Sequence, residues 1–162
     1  MNKLLYFAYG SNLHPLWLRS RTPSAKLISV ETLSGYALGF NKHGLDDSGK
    51  CNIVFSNRDD DLVHGVVYEF NVEEKSVLDE AERGYQQHNI EVGRHANVLV
   101  YIADDPVDDY SMPYSWYRDI VLAGALLHDF PEPYLQHIRS FDAKKDPDRE
   151  REQRHRTIVK LA

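Results

Sequence analysis

Hydrophobic residues along this chain fall mainly into short runs and alternating stretches of the kind that form β-strands. Residues 3–9 (KLLYFAY) form a continuous apolar run of strand length, which predicts a strand buried on both faces. Residues 26–40 alternate and are rich in β-formers, which predicts one long strand or two short ones. Residues 51–56 and 63–70 flank a polar turn and predict a hairpin, and residues 88–103 predict another strand pair.

Four segments have the spacing or the end signals of helices: residues 14–20, 72–83, 115–127 and 133–141. Pro15 suits the first turn of the first helix, and Asn71 with Glu74 resembles a capping box at the start of the second. Polar residues 41–50 and 104–110 predict loops. This order is not the regular alternation of a parallel sheet, so we predict an α+β domain whose mixed strands are able to curl toward a barrel.

The C-terminal part of the chain differs from the rest in composition. Residues 143–156 contain six Lys or Arg, four Asp or Glu and almost no apolar residue. Such a segment is typical of a solvated helix or a disordered arm. The apolar residues near its end are expected to dock on the core or on a partner. We therefore divide the chain into a domain, residues 1–142, and a charged C-terminal tail or helix, residues 143–162.

Composition narrows the classes of function. The chain has 162 residues, 42% of them hydrophobic, which suits one domain with one core. Its net charge of −6 argues against a nucleic-acid partner, because nucleic-acid binders are more often basic. No apolar run reaches transmembrane length, so no membrane partner is expected. Cys51 is the single cysteine, which excludes an intrachain disulfide and fits a cytoplasmic protein.

The first strand leads directly into Gly10-Ser11-Asn12. Glycine lets a ligand approach the backbone, and successive N–H groups at such a turn carry positive partial charge. The turn could therefore hold a carboxylate or a carbonyl, although an ordinary strand–helix turn has the same sequence features. Ser11 could instead be a nucleophile, but no G-x-S-x-G surrounds it and the sequence assigns no base to it.

Glu82 is the late carboxylate of the second helix that lies nearest its apolar stripe. At about 100° per residue it falls about 85° from the centre of the stripe, closer than Asp79 or Glu80. A partly desolvated carboxylate there has a raised pKa and is a better base near neutral pH. The alternative is an ordinary acid at the helix surface.

The remaining polar clusters do not predict a metal or cofactor site. The Asp residues at 59–61 and within 104–109 lack the spacing of a calcium loop and are interpreted as solvated turns. The eight His residues show no metal-ligand spacing. Cys51 lies in a strand pattern and is interpreted as a small core residue.

Four stretches, in this order, resemble motifs of the γ-glutamylcyclotransferase-like family. YFAYGSNL (6–13) resembles its N-terminal signature. NIVF (52–55) followed by VHGVVY (63–68) resembles its hairpin. LDEAE (78–82) matches its L-D-x-x-E, and residues 113–135 resemble its closing helices.

The resemblance implies a fold and a reaction. The fold is α+β, a small mixed β-barrel flanked by helices. In the reaction, the α-amine of a small-molecule γ-glutamyl substrate attacks its own γ-carbonyl and releases 5-oxoproline and an amine or amino acid, with no metal or cofactor. The leaving group could be an amino acid, a polyamine, a lysine ε-amine or a modified antibiotic. A homo-oligomer is compatible with the sequence.

The resemblance also implies site residues. Glu82 is the expected acid/base, and Tyr117 the expected pocket tyrosine, with Tyr114 close by. Arg83 departs from the family, which commonly has Gly there, and a tight pair with Glu82 would lower the pKa of that carboxyl. A non-catalytic metabolite-binding module with the same pocket is therefore an alternative to the enzyme. The residues expected to cradle the glutamyl head through their N–H groups are Tyr9, Gly10, Ser11, Asn12 and Leu13.

Overall fold

The computed structural model describes residues 2–104 and 110–162. The strands in this part of the chain are β1 (Lys3–Ala8), β2 (Lys26–Ser34), β3 (Tyr36–His43), β4 (Gly49–Phe55), β5 (Leu62–Asn71), β6 (Gln86–Val92) and β7 (His95–Ile102). The α-helices are α1 (Pro15–Arg19), α2 (Lys75–Ala81), α3 (Ser115–Leu127), α4 (Glu132–Ser140) and α5 (Arg149–Ile158). Short 3₁₀ helices at Ser11–Leu13 and Val72–Glu74 precede α1 and α2.

The architecture is α+β, as predicted, with a mixed sheet. Five strands pair in the order β2-β5-β1-β7-β6, with β1 antiparallel to β5 and parallel to β7. β2 and the start of β7 approach each other, and Ser29 Oγ of β2 lies 3.2 Å from His95 Nε2 of β7. Among the described strands, however, no backbone ladder closes the sheet, so the predicted barrel is not confirmed.

The predicted hairpin of residues 51–56 and 63–70 is wrong. β4 pairs with β3 in a separate two-stranded sheet, whereas β5 lies between β2 and β1. The region predicted as one or two strands divides at Gly35, whose φ of 86° only glycine adopts readily. This bend sends β3 away from the five-stranded sheet, and β4 follows it. The predicted loop over residues 41–50 is correspondingly shorter, because β3 ends at His43 and β4 begins at Gly49.

β1 and α3 fix the position of the turn at Ser11–Leu13. β1 ends in the buried residues Tyr6, Phe7 and Ala8, so the end of this strand lies in the core. α3 packs on the turn at Gly124, where an added Cβ would lie 2.7 Å from Leu13 Cβ. The turn is therefore held between the central strand and a core helix.

The second helix differs from the prediction at its start and ends earlier than the predicted residue 83. The Asn71 side chain makes no capping bond, and the Glu74 carboxylate instead accepts from Ser24 N at 3.1 Å, so the predicted capping box is wrong. α2 ends at Ala81, and Gly84 follows with a φ of 91°. Glu82 therefore lies in the turn that leaves the helix.

Residues 149–158 of the charged segment form α5, which packs on the core. Asp146 is fully buried and accepts a hydrogen bond from Trp116 Nε1 at 2.8 Å. Arg151, in the first turns of α5, pairs with the same carboxylate through Nε and Nη2 at 2.7 and 2.6 Å. Val159 is also buried. None of the helices in the described ranges is long and apolar enough to cross a lipid bilayer.

Candidate active site

A cavity of about 320 Å³, solvent at its mouth included, lies between the turn after β1 and the turn after α2. We call it the inner cavity. Of the predicted site residues, Leu13 is not part of its lining: the Leu13 side chain is fully buried. The lining consists of Tyr6, Phe7, Tyr9, Gly10, Ser11, Asn12, Cys51, Glu82, Tyr85, Tyr101 and Tyr117.

The turn at Gly10 lines this cavity and contains main-chain N–H groups that are not used inside the protein. Gly10 packs tightly, because an added Cβ would lie 2.9 Å from Cys51 Cβ. The N–H groups of Leu13 and His14 donate to the carbonyl oxygens of Gly10 and Ser11 at 3.1 and 3.2 Å. The N–H groups of Ser11 and Asn12 have no hydrogen-bond partner within residues 2–104 and 110–162. They are the donors that the turn has available for a ligand.

Glu82 faces the same cavity and is held there by Asn12. Asn12 Nδ2 donates to Glu82 Oε1 at 2.9 Å and to the Tyr6 hydroxyl at 2.9 Å. Arg21 Nη1 donates to Asn12 Oδ1 at 3.2 Å, which fixes the orientation of the amide. The carboxylate from the turn after α2 and the turn after β1 therefore belong to one site.

The surroundings of Glu82 disfavour its charged form relative to a carboxyl group in water. Burial raises the pKa of Glu82 above its usual range. The positive charge of Arg21, the Asn12 hydrogen bond and the cations of Lys42 and Lys50 oppose that rise without cancelling it. A carboxylate whose pKa is raised is a stronger base than an ordinary surface carboxylate.

Arg83 does not pair with Glu82. Its guanidinium contacts the Glu80 carboxylate, and both side chains are about two-thirds exposed. The departure from the family motif therefore leaves the carboxyl of Glu82 free of an ion pair with its neighbour.

Tyr117, and not Tyr114, lies at the inner cavity. The Tyr117 hydroxyl accepts a hydrogen bond from Cys51 N at 3.0 Å, and burial holds its pKa well above the usual range, so it stays protonated. The Tyr114 hydroxyl donates to Asp46 O at 2.7 Å, outside this lining.

Tyr85 and Tyr101 line the inner cavity but were not identified from the sequence. The Tyr85 hydroxyl donates to Cys51 O, and the Tyr9 hydroxyl donates to Tyr101 O, both at 2.6 Å. These contacts join residues distant in sequence, and only the pairing of the strands brings them together. Burial raises the pKa of the Cys51 thiol to about 12, which keeps it unreactive at neutral pH.

A second cavity of about 850 Å³, which we call the outer cavity, adjoins the first. Ser11, Glu82, Tyr85 and Tyr117 line both, so the Glu82 carboxylate stands at the junction. The outer cavity is further lined by residues from several separate parts of the fold, among them Trp17, Arg21, Lys42, Lys50, Trp116 and His155.

In the described part of the chain, no group of three or more His, Cys, Asp or Glu side chains could hold a metal ion. Of the acidic positions considered from the sequence, Asp105, Asp108 and Asp109 lie outside the described residues. Among the described residues, the lining of the inner cavity includes Ser11 but no histidine that could act as its base.

The fold and the site define an α+β protein in which one half-buried carboxylate, that of Glu82, lines the same cavity as the turn after β1. The sequence profile of a family described as "Gamma-glutamyl cyclotransferase, AIG2-like" matches residues 6–119. The chain belongs to this family, and the function that the family supports is that of a cyclotransferase-type enzyme.

Individual proteins similar to this chain carry the name of the same family. The chain is similar to the γ-glutamylcyclotransferases of Bos taurus and Homo sapiens, each 28% identical over 154 residues that cover 85% of this chain and 78% of the relative. It is also similar to a solved structure named γ-glutamyl cyclotransferase, with a TM-score of 0.82 and 25% identity over 98% of this chain and 99% of that one.

Proposed function

We propose that this protein is a cofactor-independent γ-glutamyl cyclotransferase. It converts a small γ-glutamyl amine or amino acid to 5-oxoproline and the free amine. The observation that carries the proposal is the position of Glu82, whose Oε1 lies 2.9 Å from Asn12 Nδ2 in a cavity that Ser11 and Asn12 also line.

In the proposed reaction the α-amino nitrogen of the glutamyl group attacks its own γ-carbonyl carbon. Glu82 takes the proton that the attacking nitrogen loses. The new C–N bond closes the lactam ring, and the old amide C–N bond breaks. Glu82 then gives its proton to the departing nitrogen and returns to its starting state.

The turn after β1 stabilises the charge that develops on the carbonyl oxygen. The N–H groups of Ser11 and Asn12 are donors already in place, and fixed donors of this kind are most effective where water is excluded. Tyr117, whose hydroxyl is protonated, orients the glutamyl chain. Tyr9, Gly10 and the backbone on either side of the turn form the surface against which that chain folds, and Leu13 supports the turn from the core.

Two effects supply the rate acceleration. Attack within one molecule, in near-attack geometry, reaches effective molarities of about 10⁵–10⁸ M, so the cavity has only to fold the glutamyl chain. One positioned carboxylate contributes roughly 10²–10⁴-fold by proton transfer. The partial burial of Glu82, which raises its pKa, supports this role.

The alternative of a binding module without catalysis relied on an Arg83–Glu82 pair, and Arg83 contacts Glu80 instead. A hydrolase that uses Ser11 or an activated water is a second alternative. Both are distinguished from the cyclotransferase by the product.

A panel of γ-glutamyl amides incubated with the protein tests the proposal. We expect 5-oxoproline from at least one member of the panel. Glutamate as the only acidic product would identify a hydrolase. No product together with a ligand-dependent rise in the unfolding temperature would identify a binding module.

We also propose that the enzyme is cytoplasmic, since its single thiol is buried and needs no oxidising compartment. No nucleic-acid or membrane partner is proposed. The division into a domain of residues 1–142 and a charged segment of residues 143–162 remains a proposal, as does a barrel completed by side-chain contacts between β2 and β7.

A further inference from the structure

Among the described residues, five tyrosines line the inner cavity, and their hydroxyls are hydrogen-bonded in two ways. The hydroxyls of Tyr6 and Tyr117 accept a hydrogen bond from the protein. Three others donate their hydrogen to an acceptor within the protein: those of Tyr9, Tyr85 and Tyr101. A hydroxyl has one hydrogen and two lone pairs, so a hydroxyl whose hydrogen is already committed can only accept from a ligand.

Tyr101 differs from Tyr9 and Tyr85 in the group that takes its hydrogen. Tyr9 and Tyr85 donate to main-chain carbonyl oxygens. The Tyr101 hydroxyl donates to Asp79 Oδ1 at 2.6 Å, and a carboxylate has no hydrogen to give in return. Burial raises the pKa of Tyr101 well above its usual range, and the Asp79 bond and the charge of Glu82 add to the rise. The orientation of this protonated hydroxyl therefore depends on one carboxylate.

Asp79 itself lies at the surface of α2 and is held there by two other side chains. Lys75 Nζ lies 2.9 Å from each carboxylate oxygen, and Gln87 Nε2 donates to Oδ1 at 3.2 Å. About a third of the Asp79 side chain is exposed, and ion pairs in such positions contribute little to stability. The bond to Tyr101 links this surface carboxylate to the inner cavity.

Asp79 and Glu82 reach the cavity from the same part of the chain. They are three residues apart, on neighbouring positions of α2 and the turn that follows it. The Tyr101 ring meets the Tyr6 ring edge-on, with centroids 5.9 Å apart. The Tyr6 hydroxyl in turn accepts from the Asn12 amide that also donates to Glu82. Tyr101 is therefore separated from the Glu82–Asn12 contact by one aromatic ring.

The nitrogen that attacks in the proposed reaction needs a free lone pair. A neutral amine has two N–H hydrogens and one lone pair, and only the lone pair forms the new C–N bond. An acceptor that holds an N–H hydrogen keeps the lone pair directed at the carbonyl carbon, as near-attack geometry requires. A hydroxyl that is free to rotate can instead donate to the lone pair and block the attack.

We propose that Asp79 is a positioning residue for the attacking amine: it holds the hydrogen of the Tyr101 hydroxyl, so that this hydroxyl offers only lone pairs and accepts an N–H of the amine. This inference rests on the proposed function. It gives a role to the aspartate of the LDEAE stretch at residues 78–82, beside that of Glu82. Tyr101 and Asp79 exchange no proton with the substrate, because that step belongs to Glu82.

Single and double variants test the inference through kcat for 5-oxoproline formation from γ-glutamyl-L-alanine. Asp79→Ala removes the acceptor, and Tyr101→Phe removes the hydroxyl but keeps the ring. One hydrogen bond corresponds to a change of about 3- to 10-fold, so we expect kcat to fall by about that factor in each variant. The double variant is expected to match Tyr101→Phe alone, because Asp79 acts through the hydroxyl that this variant lacks.

Lys75→Met is the matched control. It removes the ion pair of Asp79 from the same helix surface but leaves the bond between Asp79 and Tyr101, so kcat is expected to stay within about twofold of the wild type. An unchanged kcat in Asp79→Ala, losses that multiply in the double variant, or an equal loss in Lys75→Met would overturn the inference. Each of these results leaves cyclotransferase activity standing.

If no γ-glutamyl compound yields 5-oxoproline, the proposed function fails, and calorimetry then tests the amine contact by itself. L-Glutamate and glutarate differ in the α-amino group. We expect the wild-type preference for L-glutamate, measured as a ratio of Kd values, to shrink about 3- to 10-fold in Asp79→Ala and in Tyr101→Phe, with no further loss in the double variant. A ratio that both single variants leave unchanged overturns the inference.

Discussion

Asn12 is the side chain on which the site depends most at the scale of single residues. Its amide donates both hydrogens, one to Glu82 and one to Tyr6, and accepts from Arg21. Sequence motifs predicted that Asn12 and Glu82 lie at one site. They did not predict that the two side chains touch, because that contact depends on how the turn after α2 packs against the turn after β1.

Asn12→Ala is expected to lower kcat about 10- to 100-fold and to move the acid limb of the kcat/KM profile to higher pH. The Asn12 hydrogen bond favours the charged carboxylate, so its loss raises the pKa of Glu82, and the base form is then reached only at higher pH. Measured pH–rate profiles check this. Asn52→Ala removes an equally buried amide outside the inner cavity, and an identical shift of the limb in that variant would contradict the explanation.

Gly10→Ala is expected to destabilise the protein by about 1–3 kcal/mol and to reduce kcat/KM, because a new Cβ would lie 2.9 Å from Cys51 Cβ and push the turn out of place. Urea unfolding and 5-oxoproline assays measure both effects. Gly39→Ala is the control, since its nearest neighbour would be 3.9 Å away. Equal losses of stability and of kcat/KM in the two variants would show that the turn accommodates a Cβ at Gly10 and would contradict this prediction.

At the scale of elements, α5 contributes a wall to the outer cavity. His155 packs with ring centroids 4.3 Å from Trp116 and 5.1 Å from Trp17, and its Nδ1 is buried without a hydrogen-bond partner among the described residues. Charge patterning along residues 143–156 indicated solvation. It missed this contact because one aromatic ring in a helix of ten residues leaves little signal in the sequence.

The position of His155 predicts how stability depends on pH. Burial lowers the pKa of His155 to about 4, and the cations of Arg154, Lys50, Arg21 and Arg151 add to the effect. The unfolded chain, with a pKa near 6.5, binds this proton at higher pH than the folded chain does. The contribution of His155 to stability is therefore complete above pH 6.5 and is lost as the pH falls toward 4.

His155→Phe should keep the aromatic packing but remove this titration. We expect the free energy of unfolding to fall less steeply between pH 6.5 and pH 4 in the variant than in the wild type, measured by urea unfolding at several pH values. His137→Phe, at an exposed position in α4, should retain the wild-type slope. Superimposable slopes for all three proteins would contradict the burial of an uncharged His155.

At the scale of the whole molecule, local patterns predicted the elements better than their arrangement. α3 occupies the residues predicted from its spacing, since thirteen residues with one buried face give a strong periodic signal. The partner of β4 was not predictable in this way, because strand pairing depends on distant segments and on the bend at Gly35. The cations around Glu82 were missed for the same reason: Arg21 follows α1, Lys42 belongs to β3 and Lys50 to β4.

The most direct test of the account is the rate of 5-oxoproline release by wild-type protein and by Glu82→Gln, with γ-glutamyl-L-alanine as substrate. The amide fills the same space and keeps a partner for Asn12 but cannot act as a base. We predict that the variant unfolds at a temperature close to that of the wild type and that its kcat falls by at least 10²-fold. A folded Glu82→Gln protein with an unchanged rate would contradict the role assigned to this carboxylate.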